Sequence, residues 1–313
     1  MIPGKINMLH YFRRLSQKIK FKSTCVNEKG SALIITLLLV ALLVSLVVEF
    51  SYEVFIDTSA FANWNNAQKA SLMARSGQTL SSTYLADVQE LSYTFESEFD
   101  LPVDKDFGSG SELSVRIEDE SAKFNINSII SPSGLTNKEA LSSLKKLMEY
   151  LNINPDLALI AADWIDPDSD PRITGSENNA KNTFLWSVDE IKLIEGIDNK
   201  DFDKISPFIT VYGDNNININ TAELAVLVSL IPDMTEHMAN NIIDYRGTTP
   251  FEHLSDITRV SGLEGKGSYL MGKNFTVKSS KLRVTAEATV DDIMRAIESV
   301  IDTSMKVHLW REG

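Results

Sequence analysis

The feature that most constrains this chain is an uncharged apolar run that begins just after Gly30. Residues 32–48 contain no charged residue, glycine or proline, and Thr36 and Ser45 are their only polar side chains. A helical run of this length lies at the short end of what spans the hydrocarbon core of a bilayer. A secretory signal peptide is cut after its apolar region, whereas the small residue here stands before it. A chain cut at this glycine would therefore keep its membrane segment.

The charged residues predict how such a segment would lie in a membrane. Seven of the 30 Lys and Arg residues, but only one of the 43 Asp and Glu residues, lie within residues 1–30. A basic flank next to a membrane segment stays in the cytoplasm, so we expect the acidic remainder on the other side. Because that remainder repels nucleic-acid phosphates, we expect no nucleic-acid partner. The only cysteine, Cys25, precedes Gly30, so the remainder contains neither a disulfide nor a reactive thiol.

Apolar spacing predicts a long first helix and a sheet whose strands lie far apart in the sequence. No glycine or proline occurs from Ser31 to Ser76, and the pattern predicts one helix over about 31–93. The alternative is a signal anchor followed by a separate helix. Alternation or β-rich composition predicts six strands, at about 113–118, 124–127, 275–278, 281–287, 296–301 and 305–310.

Helices fill the interval between these two groups of strands. Capping boxes open two of them, one formed by Thr136 with Glu139 and one by Ser187 with Glu190. The predicted helices cover about 136–151, 155–165, 187–195, 221–230 and 235–245. Because elements that follow one another usually stay adjacent, the helical block is best interpreted as an insertion into the sheet.

An acidic loop is the strongest chemical signal in the chain. Asp166, Asp168 and Asp170 alternate with other residues, and Glu177 occupies the twelfth position counted from Asp166. This is the ligand spacing of an EF-hand, in which oxygen atoms hold a hard cation. The sixth position is Pro171 instead of the glycine that an EF-hand turn requires. We therefore predict a cation loop with a geometry of its own, and the alternative is a solvated acidic loop.

Further residues near this loop extend the predicted site. The carbonyl of Arg172 and the side chain of Asn178 are candidate additional ligands. Asp163 precedes Asp166 by three residues near a helix end, so it is better explained as part of the cation site than as half of an acid–base pair. The four histidines have no metal-ligand spacing, and the sequence contains no recognisable catalytic motif, so no catalytic residue is predicted.

Residues 217–263 look like a helix-hairpin-helix of the DNA-binding kind. Such motifs bind phosphates through the amides of a glycine-rich hairpin. The hairpin here, residues 231–235, has no glycine and contains an acid. Arg246 and Arg259 are the only bases between 218 and 262, against six acids. This charge opposes a duplex, and we interpret the segment as a packing or protein-interaction fold.

Several segments together resemble one known family. Gly30 followed by Ser31-Ala-Leu-Ile resembles the prepilin-peptidase site of type IV pilins and type II secretion pseudopilins. Most members carry a glutamate at the fifth residue after the cut, where this chain has Ile35, and the K-type minor pseudopilin is the usual exception. Four more segments fall in the order seen in K-type pseudopilins: Asp163-Trp-Ile-Asp-Pro-Asp168, Gly175-Ser-Glu177, Ser187-Val-Asp-Glu190 and Ile217-Asn-Ile-Asn-Thr-Ala222.

The resemblance and the pattern together give an α+β fold class. We expect a pilin-like long N-terminal helix packed on a small antiparallel sheet, with a large all-helical lobe of helix-hairpin-helix or SAM-like type inserted in the sheet. The predicted parts are a prepilin leader (1–30), the transmembrane half of the helix (31–50), the pilin-like helix and first strands (51–134), the inserted helical domain (135–265) and the C-terminal strands (266–313).

The resemblance also implies a function in protein export. It implies a non-enzymatic minor pseudopilin that joins the I- and J-type minor pseudopilins at the tip of a periplasmic pseudopilus, starts its assembly and caps it. Other implied partners are the H-type pseudopilin, the prepilin peptidase and the inner-membrane secretion platform. The implied location is the inner membrane, crossed once, with the N-terminus cytoplasmic and the C-terminal domain periplasmic.

The resemblance further implies calcium, one or two ions, in the acidic loop. Many relatives have more acids just after the glutamate, whereas this chain has Asn178 and Asn179, which argues against a second ion. Two alternative functions remain open. One is a membrane-anchored helix-hairpin-helix protein that handles DNA, and the other is the tip pilin of a type IV pilus.

We predict that a prepilin peptidase cuts the chain between Gly30 and Ser31, because the small residue stands between a basic leader and the apolar run. Gly30→Trp is expected to block the cut, whereas the same change at Gly4 should leave it unaffected. Mass spectrometry of the membrane-bound protein checks both. An intact Met1 in the wild type, or a new N-terminus beyond Val48, would contradict the prediction.

Overall fold

A computed structural model describes residues 28–90, 93–94, 96–101, 103, 107–265 and 274–313, so the predicted leader lies almost entirely outside the described residues. The chain divides into two compact units, Met1–Ala62 and Asn63–Gly313. One helix, α1, runs from Glu28 to Glu90 and contributes to both. A single long helix is therefore confirmed, with each end three residues earlier than predicted, and the separate second helix is not found.

In the first unit, α1 is apolar on every side over residues 32–48. Its large apolar side chains from Leu33 to Ile56 are all exposed. By length and composition, the part of α1 from Gly30 to Leu85 is long and apolar enough to cross a membrane. Because a helix that is apolar all round is stable only when lipid or other helices cover it, this part fits a single-pass membrane anchor.

The described part of the second unit contains five further α-helices and nine strands. The helices are α2 (Lys138–Tyr150), α3 (Leu157–Ile165), α4 (Asn199–Ile205), α5 (Leu224–Ser229) and α6 (Glu236–Thr248). The strands are β1 (Glu98–Asp100), β2 (Ser111–Asp119), β3 (Phe124–Asn125), β4 (Ile209–Thr210), β5 (Ile217–Asn218), β6 (Phe275–Thr276), β7 (Lys281–Val290), β8 (Ile293–Asp302) and β9 (Val307–Glu312).

The main sheet has the order β1-β2-β7-β8-β9, and every neighbouring pair is antiparallel. The nine residues of β2 pair with β7, from Ser111 opposite Val290 to Asp119 opposite Leu282. Residues 120–280 therefore leave and re-enter the sheet between two neighbouring strands. The predicted insertion of a lobe into a small antiparallel sheet is confirmed.

The C-terminal half of α1 packs on one face of this sheet. Leu113, Val115 and Ile117 alternate with exposed residues along β2, so their side chains face the helix. Small residues on α1, including Ala70 and Ala74, are fully buried against them. Gln78 is buried as well, and its Nε2 donates to the carbonyls of Val284 (3.0 Å) and Ile297 (2.8 Å). The buried amide of Gln78 thereby finds hydrogen-bond partners within the interface between helix and sheet.

A second core fills the inserted lobe. Its buried residues run from Phe124 to Phe275 and include side chains of all five lobe helices or their flanking turns. Two short parallel strand pairs, β3 with β4 and β5 with β6, tie the lobe together. The sequence did not predict this pairing, because two-residue strands have no detectable alternation. The predicted domain boundaries at 135 and 265 stay predictions.

A buried polar cluster joins the end of β2 to the lobe. Asp119 is 2% exposed and accepts from the Ser121 amide (2.8 Å), Asn218 Nδ2 (2.9 Å) and Thr221 Oγ1 (2.7 Å). Burial raises the pKa of Asp119, and these hydrogen bonds oppose the rise. The carboxylate thus connects the sheet with residues almost a hundred positions further along the chain.

Several predicted elements differ from the structure in detail. The N-cap of α2 is Asn137, not Thr136, because its side chain accepts from the Ala140 amide (3.2 Å). The Ser187 capping box is present but opens a 3-10 turn, Val188–Leu193, and not an α-helix. The strand predicted at 275–278 is only β6, which pairs with β5 outside the main sheet. Beyond Asn125 the chain turns into a 3-10 helix, Ile126–Ile129, and β1 was not predicted.

We expect Gly77→Ala to destabilise the second unit by about 1–3 kcal/mol, the usual cost of overpacking a core. A Cβ at Gly77 would lie 2.8 Å from Val115 Cγ2 and 2.9 Å from Ala286 Cβ, so the helix would have to move off the sheet. Gly247→Ala is the matched control, because a Cβ there meets nothing within 4 Å and alanine favours a helix. Thermal unfolding of both variants checks this, and equal stability of the two would contradict it.

Candidate metal centre

The candidate site forms where α3 ends. Asp163 lies in the last turn of this helix, and Asp166 is its C-cap residue. Residues that are three positions apart lie on the same side of a helix. Asp163 and Asp166 are spaced in this way, and both side chains are fully buried. The chain then turns back, with Gly175 at φ +89°, and brings Glu177 to the same place. Ligand oxygens of the three carboxylates lie within 4.8 Å of one another.

The side chain of Arg172 reaches into this cluster. Its Nη1 donates to Asp166 Oδ2 at 2.5 Å and also to Asp163 Oδ1, and its Nη2 donates to Thr136 Oγ1 at 2.5 Å. The Arg172 amide donates to Asp163 Oδ2 at 2.8 Å, and the Ser176 hydroxyl donates to the same oxygen. Asp163 therefore has partners for both of its oxygens.

The other two carboxylates have oxygen atoms without partners. Asp166 Oδ1 and both carboxylate oxygens of Glu177 are buried without a hydrogen-bond partner among the described residues. Burial raises the pKa of both groups, and the negative charges of Asp163 and Asp168 raise it further. One guanidinium faces three carboxylates, so Arg172 neutralises only part of the negative charge that the cluster carries when its carboxylates are ionised. Hard oxygen donors with unsatisfied lone pairs fit a divalent cation such as calcium.

The structure brings together two of the four predicted metal ligands. Asp166 and Glu177 converge, whereas Asp168 and Asp170 are exposed and lie outside the cluster. Asp168 instead accepts from the Asp170 amide at 2.9 Å, which forms a tight local turn. Asp163 completes the cluster, as its spacing from Asp166 suggested. The metal assignment itself stays a prediction for all of these residues.

Sequence reasoning missed the side chains of Arg172 and Ser176. The sequence predicts a role only for the Arg172 carbonyl, because the guanidinium has no lone pair for a metal ion. Its position nine residues after Asp163 gives no local signal, because the turn that returns it depends on the fold of the whole loop. The one signal in the sequence is that Arg172 is a basic residue in an otherwise acidic loop, which suggests that it pairs with a carboxylate.

The hairpin of the helix-hairpin-helix segment binds a side chain of this protein. The hairpin between α5 and α6 directs carbonyls, not amides, at a cation: Lys146 Nζ donates to the carbonyl oxygens of Ile231 (2.9 Å), Pro232 (2.9 Å) and Met234 (2.7 Å). A phosphate needs donors at this position. The hairpin of this chain offers acceptors that a lysine already occupies.

The two arginines of the same segment are also engaged. Arg246 Nη1 donates to the carbonyls of Ile219 and Ala222, each at 2.7 Å, and burial lowers its pKa to about 10. Arg259 is exposed and pairs with Asp256 at 3.2 Å. These contacts do not favour the DNA-handling alternative, because the bases that would meet phosphates are occupied by the protein itself.

Comparisons with known proteins agree on one family. Residues 122–214 and residues 217–278 each match a family model described as "Type II secretion system (T2SS), protein K". Type II secretion system protein K of Pectobacterium carotovorum subsp. carotovorum is 24% identical over 303 residues, covering 85% of this chain and 89% of that protein. The corresponding protein of Pseudomonas aeruginosa is 26% identical over 208 residues.

The coverage differs among these relatives. The chain spans 61% of the length of the Pseudomonas aeruginosa protein, and the match covers 61% of this chain. Among solved structures, the crystal structure of the GspK-GspI-GspJ complex from the type 2 secretion system of enterotoxigenic Escherichia coli contains a similar chain, with a TM-score of 0.66. That match has 18% sequence identity and covers 81% of this chain and 99% of the other, which supports the fold.

Proposed function

We propose that this chain, which is a K-type minor pseudopilin of type II secretion, joins the I- and J-type minor pseudopilins at the tip of a periplasmic pseudopilus. There it initiates assembly and caps the filament. The similar solved structure is a complex of GspK with GspI and GspJ, and we extend that partnership to this chain. A type IV pilus tip pilin is less well supported, because both matching family models are of secretion protein K.

The observation that carries this proposal is the lobe inserted between β2 and β7. A pilin-like subunit packs into a filament through its N-terminal helix, and the lobe adds a second hydrophobic core to that plan. A subunit with so much additional bulk suits the end of a filament, where nothing has to be stacked above it.

Ile35 also supports a position at the tip of the filament. The resemblance to pilins and pseudopilins implies that a glutamate at this place pairs with the amine of the subunit ahead in the filament. A buried carboxylate without a partner costs several kcal/mol. A subunit at the tip has no subunit ahead of it, so an apolar residue there removes this cost. Ile35 lies in the exposed apolar part of α1, where it also suits lipid.

We propose an inner-membrane location for this chain and no enzymatic activity. The anchor is inserted in the inner membrane with its N-terminus in the cytoplasm and the acidic unit in the periplasm, in line with the basic residues before Gly30. The prepilin peptidase, the H-type pseudopilin and the inner-membrane platform are further proposed partners. We assign no enzymatic activity, because the buried carboxylate cluster at the end of α3 is better suited to hold a cation than to transfer a proton.

Calcium is the proposed ligand of the candidate metal centre. Asp163, Asp166 and Glu177 would supply carboxylate oxygens, and the loop of Asp168 and Asp170 lies next to them in the sequence. The cation would neutralise the excess negative charge and fix the turn after α3. Since the lobe core includes the buried residues of α3, an ordered loop would also hold this helix in place.

We predict that calcium stabilises the full-length protein in detergent and that Glu177→Gln removes most of this effect. Binding only to the folded state adds about 2.7 kcal/mol when the free ion is a hundred times its dissociation constant. Without calcium, Glu177→Gln should be at least as stable as the wild type, because it removes a buried charge that has no partner. Thermal unfolding with calcium and with a chelator measures both effects.

A double variant of the exposed acids is the matched comparison. Asp168→Asn combined with Asp170→Asn removes two charges from the same loop but leaves the buried cluster intact. If calcium stabilises this variant as much as the wild type, the ligands are restricted to the buried cluster. If the stabilisation is lost, the exposed acids are among the ligands. An unchanged melting temperature of the wild type with calcium and with chelator, with no ion retained in metal analysis, would contradict the calcium proposal.

We predict that the full-length protein binds purified I- and J-type minor pseudopilins and does not bind DNA. Deletion of its gene should abolish or sharply reduce secretion, while the major pseudopilin is still made and processed. Affinity capture with each purified partner tests the first expectation, and a gel-shift assay at low salt tests the second. Tight DNA binding without capture of either pseudopilin would favour the DNA-handling alternative.

A further inference from the structure

One nitrogen of Arg172 pairs with two of the three carboxylates in the candidate metal centre. Nη1 donates to Asp163 Oδ1 and to Asp166 Oδ2, so it lies between two acids that a bound cation would also contact. The side chain of Arg172 is only 22% exposed, and its Nη2 donates to Thr136 Oγ1 at 2.5 Å. A cationic group of the protein itself therefore lies among the proposed calcium ligands.

The guanidinium occupies two of the five cluster oxygens that could serve a cation. Asp166 Oδ1 and both oxygens of Glu177 are buried without a partner, which leaves three of the five free. The other two, Asp163 Oδ1 and Asp166 Oδ2, accept from Arg172. Calcium takes about six to eight oxygen ligands, among which backbone carbonyls and water complete what carboxylates begin. An ion that uses all five carboxylate oxygens must therefore displace the guanidinium.

The carboxylates can stay in place when the guanidinium leaves them. Asp163 Oδ2 accepts from the Arg172 amide at 2.8 Å and from the Ser176 hydroxyl, and neither contact involves an atom of the Arg172 side chain. The exposed acids Asp168 and Asp170, in the same loop, offer the displaced side chain other carboxylates. The loop thus contains partners for the guanidinium both inside and outside the cluster.

We infer that Arg172 is an internal competitor of calcium: its guanidinium pairs with Asp163 and Asp166 when no ion is bound, and calcium displaces it from them. The inference rests on the proposed calcium site. Buried carboxylates without any cation destabilise a protein, so Arg172 keeps the loop folded before an ion arrives. The same contacts lower the affinity for calcium, because charge-assisted hydrogen bonds are strong and the ion must replace them.

Calorimetric titration of the full-length protein in detergent with calcium measures this competition. Arg172→Gln should raise the calcium affinity by about tenfold or more, because one hydrogen bond to a charged group is worth roughly that factor. Lys138→Gln is the matched control, since it removes the same charge from an exposed position two residues after Thr136. Because exposed charges are screened by salt, it should change the affinity by less than about threefold.

Thermal unfolding separates competition from a merely structural role. In chelator, Arg172→Gln should melt below the wild type, because its three buried carboxylates then have no cation. Calcium should raise the melting temperature of this variant by more than it raises that of the wild type. A merely structural role would lower the melting temperature equally with calcium and with chelator, and that result would overturn the inference.

Arginine labelling supplies a measurement on the wild type that does not depend on the folding of a variant. Phenylglyoxal modifies accessible guanidinium groups, and mass spectrometry of peptides reports each arginine. Arg172 should react slowly in chelator and faster in saturating calcium, which is the reverse of the protection that a ligand usually gives. Arg246, which donates to two carbonyls, should react slowly in both states, and the exposed Arg116 should react rapidly in both.

The outcomes separate this inference from the calcium proposal. Slower labelling of Arg172 in calcium would overturn the inference, because the guanidinium would then remain in the cluster beside the ion. An unchanged affinity in Arg172→Gln, or an equal rise in Lys138→Gln, would also overturn it, while calcium binding by the wild type would leave the calcium proposal standing. Absence of calcium binding in both the wild type and Arg172→Gln would contradict the calcium proposal itself.

Discussion

The antiparallel pairing of β2 with β7 is the interaction on which the second unit depends. It joins segments separated by more than 160 residues, and every residue of β2 takes part in it. The pairing creates the face on which α1 packs, because Leu113, Val115 and Ile117 point to the same side as the buried residues of β7. The entropy lost in closing a long loop rises only slowly with its length, so a nine-residue ladder can hold a large insertion.

Polar contacts then fix the lobe to the sheet. Asp119 ends β2 and accepts hydrogen bonds from Asn218 of β5 and from Thr221, which follows that strand. Glu120 pairs with Arg283 on β7 (2.7 Å) and with Lys123 (3.3 Å). Both acids are almost fully buried, so the loss of a partner would leave a charge in a dry environment. A lobe that is held in this way keeps a defined position on the sheet, as the proposed capping role requires.

The sequence predicted the elements that have strong periodicity and missed those that depend on distant partners. The 63-residue helix, the strands β2, β7 and β8, and the insertion between β2 and β7 follow from apolar spacing and chain order. The three-residue β1 and the two-residue β3–β6 exist because a partner strand stabilises them. At the candidate metal centre, spacing identified Asp166 and Glu177, but burial of Asp163 and the approach of Arg172 depend on how the loop after α3 folds.

The insertion has a topological consequence. Without residues 120–280, the five strands of the main sheet run in chain order, each beside the one before it, as an up-and-down meander. Asp119 lies opposite Leu282, so the lobe occupies the place where a simple meander has a hairpin turn. The points at which the chain leaves and rejoins the sheet are neighbours, and the ladder between β2 and β7 is formed by these two strands alone. The lobe can therefore differ in length without changing the order of the strands, provided that Asp119 and Arg283 keep their partners.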